Sequence, residues 1–510
     1  MPDYMFLLES RLSPEQRAAL ERAQELARLL ELNIYLTGGA VRDLISGQPI
    51  RDLDFTVEGN PVRMIRELEK GGAKVAWESE KLRHYEMVFA GDADGSISAA
   101  RDDVYEKPGS KPDYRFAGIT EDLRRRDFSI NAIAISLNAQ SRGLLLDPTN
   151  GLADLERQEV RALSIHAFTN QPIRLMRILR YSARMGFNLE SRTQEWFDLA
   201  VERKLNENLE SSEVGNELRA VAREDNPVAA LKLWEEHGLL EAIHPNLQRR
   251  KPDYDSLNKL GRVRGNYLAV GLRPRLHLPV TSYTLGRLKD REAASALRNL
   301  EFRAAEIDAI SDLIPEAQKV VKVLKGRKTN APRDAYAYLA SLPSEMLAFI
   351  EVELPNPRAL SKIRNYIQKW RPLRLALPVA ELDALGIPRG PKFDKILDQL
   401  FDMQLRGKAK TPEDRTRILR DLAGIKDEIK KKPEKEKKKG KGGEAPAVPA
   451  AKTAGGKPAE KASGAASESG HHAAAAIGAG ARAKHEKAAA ARRAENSKSK
   501  PHHSKKSRTR

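Results

Sequence analysis

The pattern of apolar and polar positions changes character near residue 190. Before it, short apolar runs of strand length alternate with stretches of helical spacing. After it, to about residue 425, the period is almost entirely helical, with breaks such as Asn226-Pro227 and His244-Pro245. Ser13-Pro14-Glu15-Gln16 predicts a helix start, with Ser as cap and Pro at the first helical position, running to about Glu31. Ile34-Tyr35-Leu36 predicts a buried strand, and Ala40–Ile45 a helix. In residues 52–57, DLDFTV, side chains alternate in kind. Asp52 and Asp54 share one strand face, while Leu53 and Phe55 point into a core. A helix over 61–70 and strands at 73–77, 85–89 and 97–100 follow. These elements predict an α+β chain, a small mixed sheet with helices followed by an all-α remainder.

The chemistry concentrates in residues 34–57. Gly38-Gly39 stands at a strand-to-helix turn, where the missing Cβ atoms let backbone approach a ligand. The helix that follows presents free N–H groups and a positive dipole end, a seat for phosphate, and Arg42 adds a charge one turn in. Asp52 and Asp54, side by side on a strand, repel each other unless a cation sits between them. Magnesium suits carboxylate oxygens plus substrate phosphates. Turn and carboxylates within one strand–helix–strand unit imply metal-assisted nucleotidyl transfer. In residues 121–137 (EDLRRRDFSINAIAISL), Arg126 and Asn131 are of types that hold phosphates and ribose hydroxyls, although a basic helix face is the plainer reading. In residues 171–187 (QPIRLMRILRYSARMGF), Arg174, Arg177, Arg180 and Arg184 recur every three or four positions near one helix face. They make either a solvated basic stripe or an arginine-lined nucleotide or RNA surface.

Charge changes the picture at the C-terminus. The 510 residues carry a formal net charge of +18. Residues 426–510 hold 23 basic and 9 acidic residues, which leaves only +4 for the rest. A nucleic-acid groove on the folded part therefore needs local clustering rather than bulk charge. The segment itself, rich in Lys, Ala, Gly and Ser, is expected to be disordered and to attract RNA non-specifically or simply to aid solubility. The absence of cysteine excludes disulfides and cysteine-based zinc sites. The N-terminus lacks the pattern of a signal peptide and no stretch reaches about 20 apolar residues, so a cytoplasmic protein without a membrane span is expected.

Taken together, LTGGAVRD (36–43), DLDF (52–55), RRDFSINAIA (125–134), DPTNGLADL (147–155), RLMRILRYSARMGF (174–187) and the LGIPRGP…ILDQLFDMQLRGKAKTPEDR segment (385–415) carry a resemblance. The chain resembles the class II tRNA nucleotidyltransferases, or CCA-adding enzymes, and their relatives the bacterial poly(A) polymerases, over about residues 30–425. The resemblance implies a catalytic head over 1–145, a base-selecting neck over 146–205, RNA-binding helical body and tail domains over 206–330 and 331–425, then the basic segment 426–510. It implies two Mg²⁺ ions on Asp52 and Asp54, with CTP and ATP as substrates and tRNA as partner. Gly38, Gly39 and Arg42 would contact the triphosphate, with Arg126, Asp127 and Asn131 around ribose and phosphates. Arg177 would belong to the nucleotide site. Asp147, Gly151 and Asp154 would form a flexible loop coupling head and neck.

One departure bears on specificity. The family's neck helix opens Glu-Asp-x-x-Arg, whose Asp and Arg read the incoming base. Here the matching stretch is Asn170-Gln171-Pro172-Ile173-Arg174. An Asp only accepts, so it takes the exocyclic amine of cytosine or adenine. Gln171 both accepts and donates, so discrimination against UTP is expected to be weaker unless another residue supplies it. Full CCA addition, addition of C or of A alone, and poly(A) tailing remain open. An inactive RNA-binding relative is the alternative of another class, opposed by the intact carboxylate pair. No His-Asp dipeptide occurs, so the metal phosphohydrolase domain fused to some relatives is not evident.

Overall fold

A computed structural model of the chain describes residues 3–409 and 411–424. The segment 426–510, expected to be disordered, lies outside the described residues. Two helices open the chain, α1 (Tyr4–Arg11) and α2 (Pro14–Leu29). The second begins as its sequence dictates: Ser13 Oγ accepts from the N–H of Gln16 at 3.2 Å, and Gln16 Oε1 accepts from the N–H of Ser13 at 3.1 Å. Ala19, Leu20, Ala23, Leu26 and Ala27 form its buried stripe.

The central unit is β1 (Asn33–Thr37), α3 (Gly39–Ile45) and β2 (Leu53–Glu58). Next come α4 (Val62–Lys70), β3 (Lys74–Ser79), β4 (His84–Phe89) and β5 (Ala93–Ala99). A separate hairpin follows, β6 (Arg101–Val104) with β7 (Asp113–Phe116). Then come α5 (Ile119–Arg124), a 3-10 turn at Ser129–Asn131, β8 (Ala134–Ser136) and β9 (Leu145–Leu146). Seven strands form one sheet in the order β3-β4-β5-β2-β1-β8-β9. Every neighbouring pair is antiparallel except β2 with β5. The mixed sheet is thus as expected, while β8 and the β6–β7 hairpin were not anticipated.

The alternation in β2 sets its register. Leu53, Phe55 and Val57 are fully buried, and Phe55 packs edge-on against Phe89 at 5.9 Å. Each such side chain contributes about 1.5–3 kcal/mol by leaving water. A slip of one residue would place Asp52 and Asp54 in that core, so the register is strongly held.

Beyond the sheet lie α6 (Gly151–Arg157), β10 (Glu159–Val160), α7 (Ala167–Asn170), α8 (Arg174–Met185), β11 (Asn188–Leu189), α9 (Ser191–Glu202) and α10 (Ser211–Ala222). From there to residue 424 the described chain is helices and turns. One apolar cluster runs from Met5 to Ile367, and a smaller one from Leu382 to Leu419 packs the last helices. Among the described residues no helix is long and apolar enough to cross a membrane.

Candidate active site

The sheet brings the two signals of the central unit together. Gly38 has φ 64° and ψ −128°, a backbone state that only glycine adopts without strain. A Cβ there would meet Arg126 Nη1 at 3.1 Å and Asp54 Oδ2 at 3.8 Å; one on Gly39 would lie 3.5 Å from both Asp54 Oδ2 and Arg42 Nη2. The two glycines therefore hold open a cradle between the turn and a carboxylate. Gly38 caps α3 without any side-chain hydrogen bond, so no capping side chain takes up the N–H groups of the first turn.

Asp54 Oδ1 accepts from Ser96 Oγ on β5 at 2.9 Å. Burial raises the pKa of Asp54 against the lowering effect of that bond. Asp52 reaches solvent at the strand's start. Yet crowding by protein, and then the charges of Asp54, Asp94 and Glu86, push its pKa up to about 6 against the pull of Arg223. A cation beside the two acids would relieve the repulsion from Asp54 that helps to raise Asp52. Among the described residues no group of three or more His, Cys, Asp or Glu is placed to hold a metal ion. Two carboxylates beside an open cradle still fit Mg²⁺, which keeps several waters and takes further ligands from phosphates.

A rigid frame backs the cradle. Arg126 donates from Nη2 to Thr37 Oγ1 and to Thr56 Oγ1, at 3.1 Å each, and from Nη1 to the carbonyl of Asn131 at 3.2 Å. Asp122, one helical turn earlier and fully buried, clasps Arg126 through Nε at 3.1 Å and Nη2 at 2.9 Å, and also pairs with Arg125. Burial alone would raise its pKa, but the two guanidiniums outweigh that and hold it low. Arg42, expected at the triphosphate, is buried beneath the turn. It pairs with Asp43 at 2.9 Å, donates to Asn131 Oδ1 at 2.6 Å and stacks over Tyr181. Asn131 in turn donates to Asp127 at 3.3 Å. These three residues come together, but as a support under the cradle.

The arginine stripe is neither solvated nor an open surface. Arg177 Nε and Arg180 Nε donate to the two oxygens of buried Glu217 on α10, at 2.7 and 2.9 Å. Arg177 also reaches Asp127 at 3.2 Å, Arg180 reaches Glu224 at 3.1 Å, and Arg184 reaches Asp43 at 2.5 Å. The stripe is an internal ladder linking α8 to α10, to Asp127 and to α3. Arg174 differs from its neighbours on α8. It is buried, its Nη2 makes one long bond to the carbonyl of Arg125 at 3.4 Å, and its Nε has no partner. Gln171, just ahead of α8, donates from Nε2 to the hydroxyl of Tyr105 at 3.1 Å.

Residues 147–150 form a turn that caps α6. Asp147 accepts from the N–H of Gly151 at 2.7 Å and of Leu152 at 2.9 Å. A Cβ on Gly151 would strike the carbonyl of Ser129 at 2.2 Å, so the helix seats against the 3-10 turn only with glycine there. Buried Asp154 accepts from Ser129 Oγ at 2.5 Å and from Arg161 Nε at 2.8 Å.

Sequence reasoning missed Ser96, Asp122, Asp43, Glu217 and Tyr105. Asp122 stood four residues before Arg126, so a signal existed for that pair. Ser96 and Tyr105 are placed by strand pairing and left no local trace.

Residues 34–161 match the family model described as the poly(A) polymerase head domain. The chain is 28% identical to the A-adding tRNA nucleotidyltransferase of Geobacter sulfurreducens over 401 residues, 77% of this chain and 46% of that protein. It is 33% identical to the A-adding enzyme of Aquifex aeolicus over 383 residues, covering 72% of this chain and 44% of that one. The A-adding enzyme of Halalkalibacterium halodurans is 28% identical over 432 residues, 82% of this chain and 95% of the relative. The chain thus spans less than half the length of the first two relatives and nearly all of the third.

Proposed function

We propose, for a chain that belongs to the class II tRNA nucleotidyltransferase family, that it extends the 3′ end of tRNA with C and A residues taken from CTP and ATP. The reading rests on one juxtaposition: the Gly38-Gly39 turn lies against the carboxylate of Asp54, with Asp52, just ahead of the strand, close enough for the two acids to raise each other's charge cost. A triphosphate seated on that turn brings its phosphates to the two acids. The 3′-hydroxyl of the RNA attacks the α-phosphate and pyrophosphate leaves. Mg²⁺ held by Asp52 and Asp54 would supply activation of the hydroxyl and neutralisation of the leaving charge. Arg126, fixed by Asp122 and the two threonines, keeps a positive charge behind the turn. Asn131 and Asp127 hold Arg42 and Arg177, and so set the seam between turn and α8. Gln171 and Arg174 would face the base. The head, neck, body and tail divisions at 145, 205 and 330 are part of the same proposal.

A narrower reading is favoured by the three relatives, all of which carry the name A-adding: addition of the final A to a tRNA ending in CC. One end-extension assay separates the two. With tRNA transcripts lacking CCA, or ending in C or CC, growth by three residues with CTP plus ATP supports full addition. Growth by one, only on CC and only with ATP, supports the narrower reading. A long ATP-dependent ladder means poly(A) tailing, and no growth on any end overturns both.

A further inference from the structure

We propose that the cavity between α5 and α6 binds phosphate groups, those of an RNA backbone, through Arg124, Arg157 and Arg161. The assignment to RNA rests on the proposed function and deepens it; the charge of the cavity does not depend on that reading. The cavity has a volume of about 590 Å³, and no residue of the Gly38–Asp54 cradle lines it. Four charged side chains do. Arg124 ends α5, Arg157 ends α6, Arg161 follows β10, and Asp154 belongs to α6. Three positive charges thus share one wall with a single negative one, a surplus of +2.

The contacts within the wall do not cancel that surplus. Asp154 is buried, and its Oδ2 accepts from Ser129 Oγ at 2.5 Å and from Arg161 Nε at 2.8 Å. Arg161 also donates from Nη2 to the carbonyl of Thr149, so its guanidinium is fixed in place. Arg157 is left 4.0 Å from Asp154 Oδ1, too far for a hydrogen bond. Arg124 makes no hydrogen bond or ion pair among the described residues, whereas its neighbours Arg125 and Arg126 are both held by Asp122. Guanidiniums gathered around one cavity repel each other, and an anion between them relieves the repulsion. Phosphate suits them, because the guanidinium fork pairs with two phosphate oxygens at once. The cavity is much larger than a lone phosphate ion, and two successive phosphodiesters, each carrying one negative charge, would balance its surplus. The alternative grip for RNA, the stripe of Arg177, Arg180 and Arg184, is already spent on Glu217, Glu224, Asp127 and Asp43.

The test measures tRNA binding by fluorescence anisotropy over a range of salt concentrations. It uses the full chain as wild type, Arg124→Ala, Arg157→Ala and the double variant. Both arginines are exposed, so their loss leaves the core intact. Arg22→Ala, which removes an arginine of α2 paired with Glu25 at 2.7 Å, controls for bulk charge. Each lost phosphate contact is expected to weaken binding about fivefold at about 0.15 M salt, and to flatten the slope of log K against log salt by about 0.7–0.9. Calorimetry with inorganic phosphate on the same proteins separates the two sources of the ligand. A loss of tRNA affinity confined to the cavity variants supports the proposal as stated. Unchanged tRNA binding, with inorganic phosphate bound by the wild type and lost in the double variant, overturns the RNA source and keeps the phosphate site. No change in either measurement, or an equal loss in Arg22→Ala, overturns the proposal outright. Both measurements read binding alone, so a failure of the protein to extend any RNA would overturn the proposed function separately.

Discussion

Glu217→Gln is the perturbation that tests the arginine ladder most directly. Glu217 is 3% exposed and accepts from Arg177 at 2.7 Å and Arg180 at 2.9 Å. Charge-assisted bonds of this kind are worth about 1.5–3 kcal/mol each. Two partners remain after the change, since Arg177 keeps Asp127 at 3.2 Å and Arg180 keeps Glu224 at 3.1 Å. The Arg177 side chain is also 28% exposed, so water screens part of its share. The expected loss is therefore about 3 kcal/mol, the low end of the range of about 3–5 kcal/mol for breaking a buried pair. In urea unfolding followed by circular dichroism, this shifts the midpoint by about 1 M if the slope is about 3 kcal/mol/M. pH supplies a check on the cause. Burial raises the pKa of Glu217, but Arg180 and Arg177 outweigh it and hold it below the ordinary 4.5. A depressed acid contributes fully above its unfolded pKa and loses its contribution as pH falls through the folded one. The gap between wild type and variant should be constant from about pH 8 to 5 and close below about pH 4.5. A loss under about 1 kcal/mol at pH 7, or a gap that does not narrow in acid, would refute the ladder as a source of stability.

Three further outcomes are expected. Asp52→Ala and Asp54→Ala should each lower nucleotide transfer about a thousandfold or more, the size of several kcal/mol of lost transition-state stabilisation, while tRNA retention on filters survives; substantial residual transfer would sink the assignment. Asp52, with its pKa raised to about 6, is protonated in acid, so Mn²⁺ affinity measured by electron paramagnetic resonance should be flat above about pH 7 and fall about tenfold per unit below pH 6. A flat profile down to pH 5 would show that Asp52 is not a ligand. Gly38→Ala forces φ 64° on a residue with a Cβ placed 3.1 Å from Arg126 Nη1, a strain of about 1–3 kcal/mol. It should raise the KM for nucleotide about tenfold or more, and an unchanged KM would mean the turn does not seat the triphosphate.

Why some of this was legible and some was not follows from how far apart the interacting residues lie. Asp52, Asp54, Leu53 and Phe55 announce their faces within one strand because side chains alternate at period two. Gly38-Gly39 marks its turn because the backbone at Gly38 is one that only glycine tolerates without strain. The hairpin β6–β7 carries no such signal: its strands, RDDV and DYRF, bury no apolar face, so neither pattern nor propensity marks them. The hairpin nevertheless brings Tyr105 to Gln171, 66 residues away. The arginines of α8 show the opposite failure. Their spacing was plain, but spacing says only that they share a face, and which surface that face meets is decided by Glu217, Glu224, Asp43 and Asp127 on distant elements. Those acids neutralise the stripe internally, so Arg177, Arg180 and Arg184 are not free to grip RNA phosphates. The sequence outside residues 426–510 carries only +4, which makes this decisive for recognition. Once the ladder takes its share, one guanidinium of that stripe, Arg174, keeps a buried donor without a partner. It is one turn from Gln171, the residue that the proposed function places with it against the base. The stripe thus divides in two, three arginines that hold α8 against α3 and α10, and one left with a bond to make.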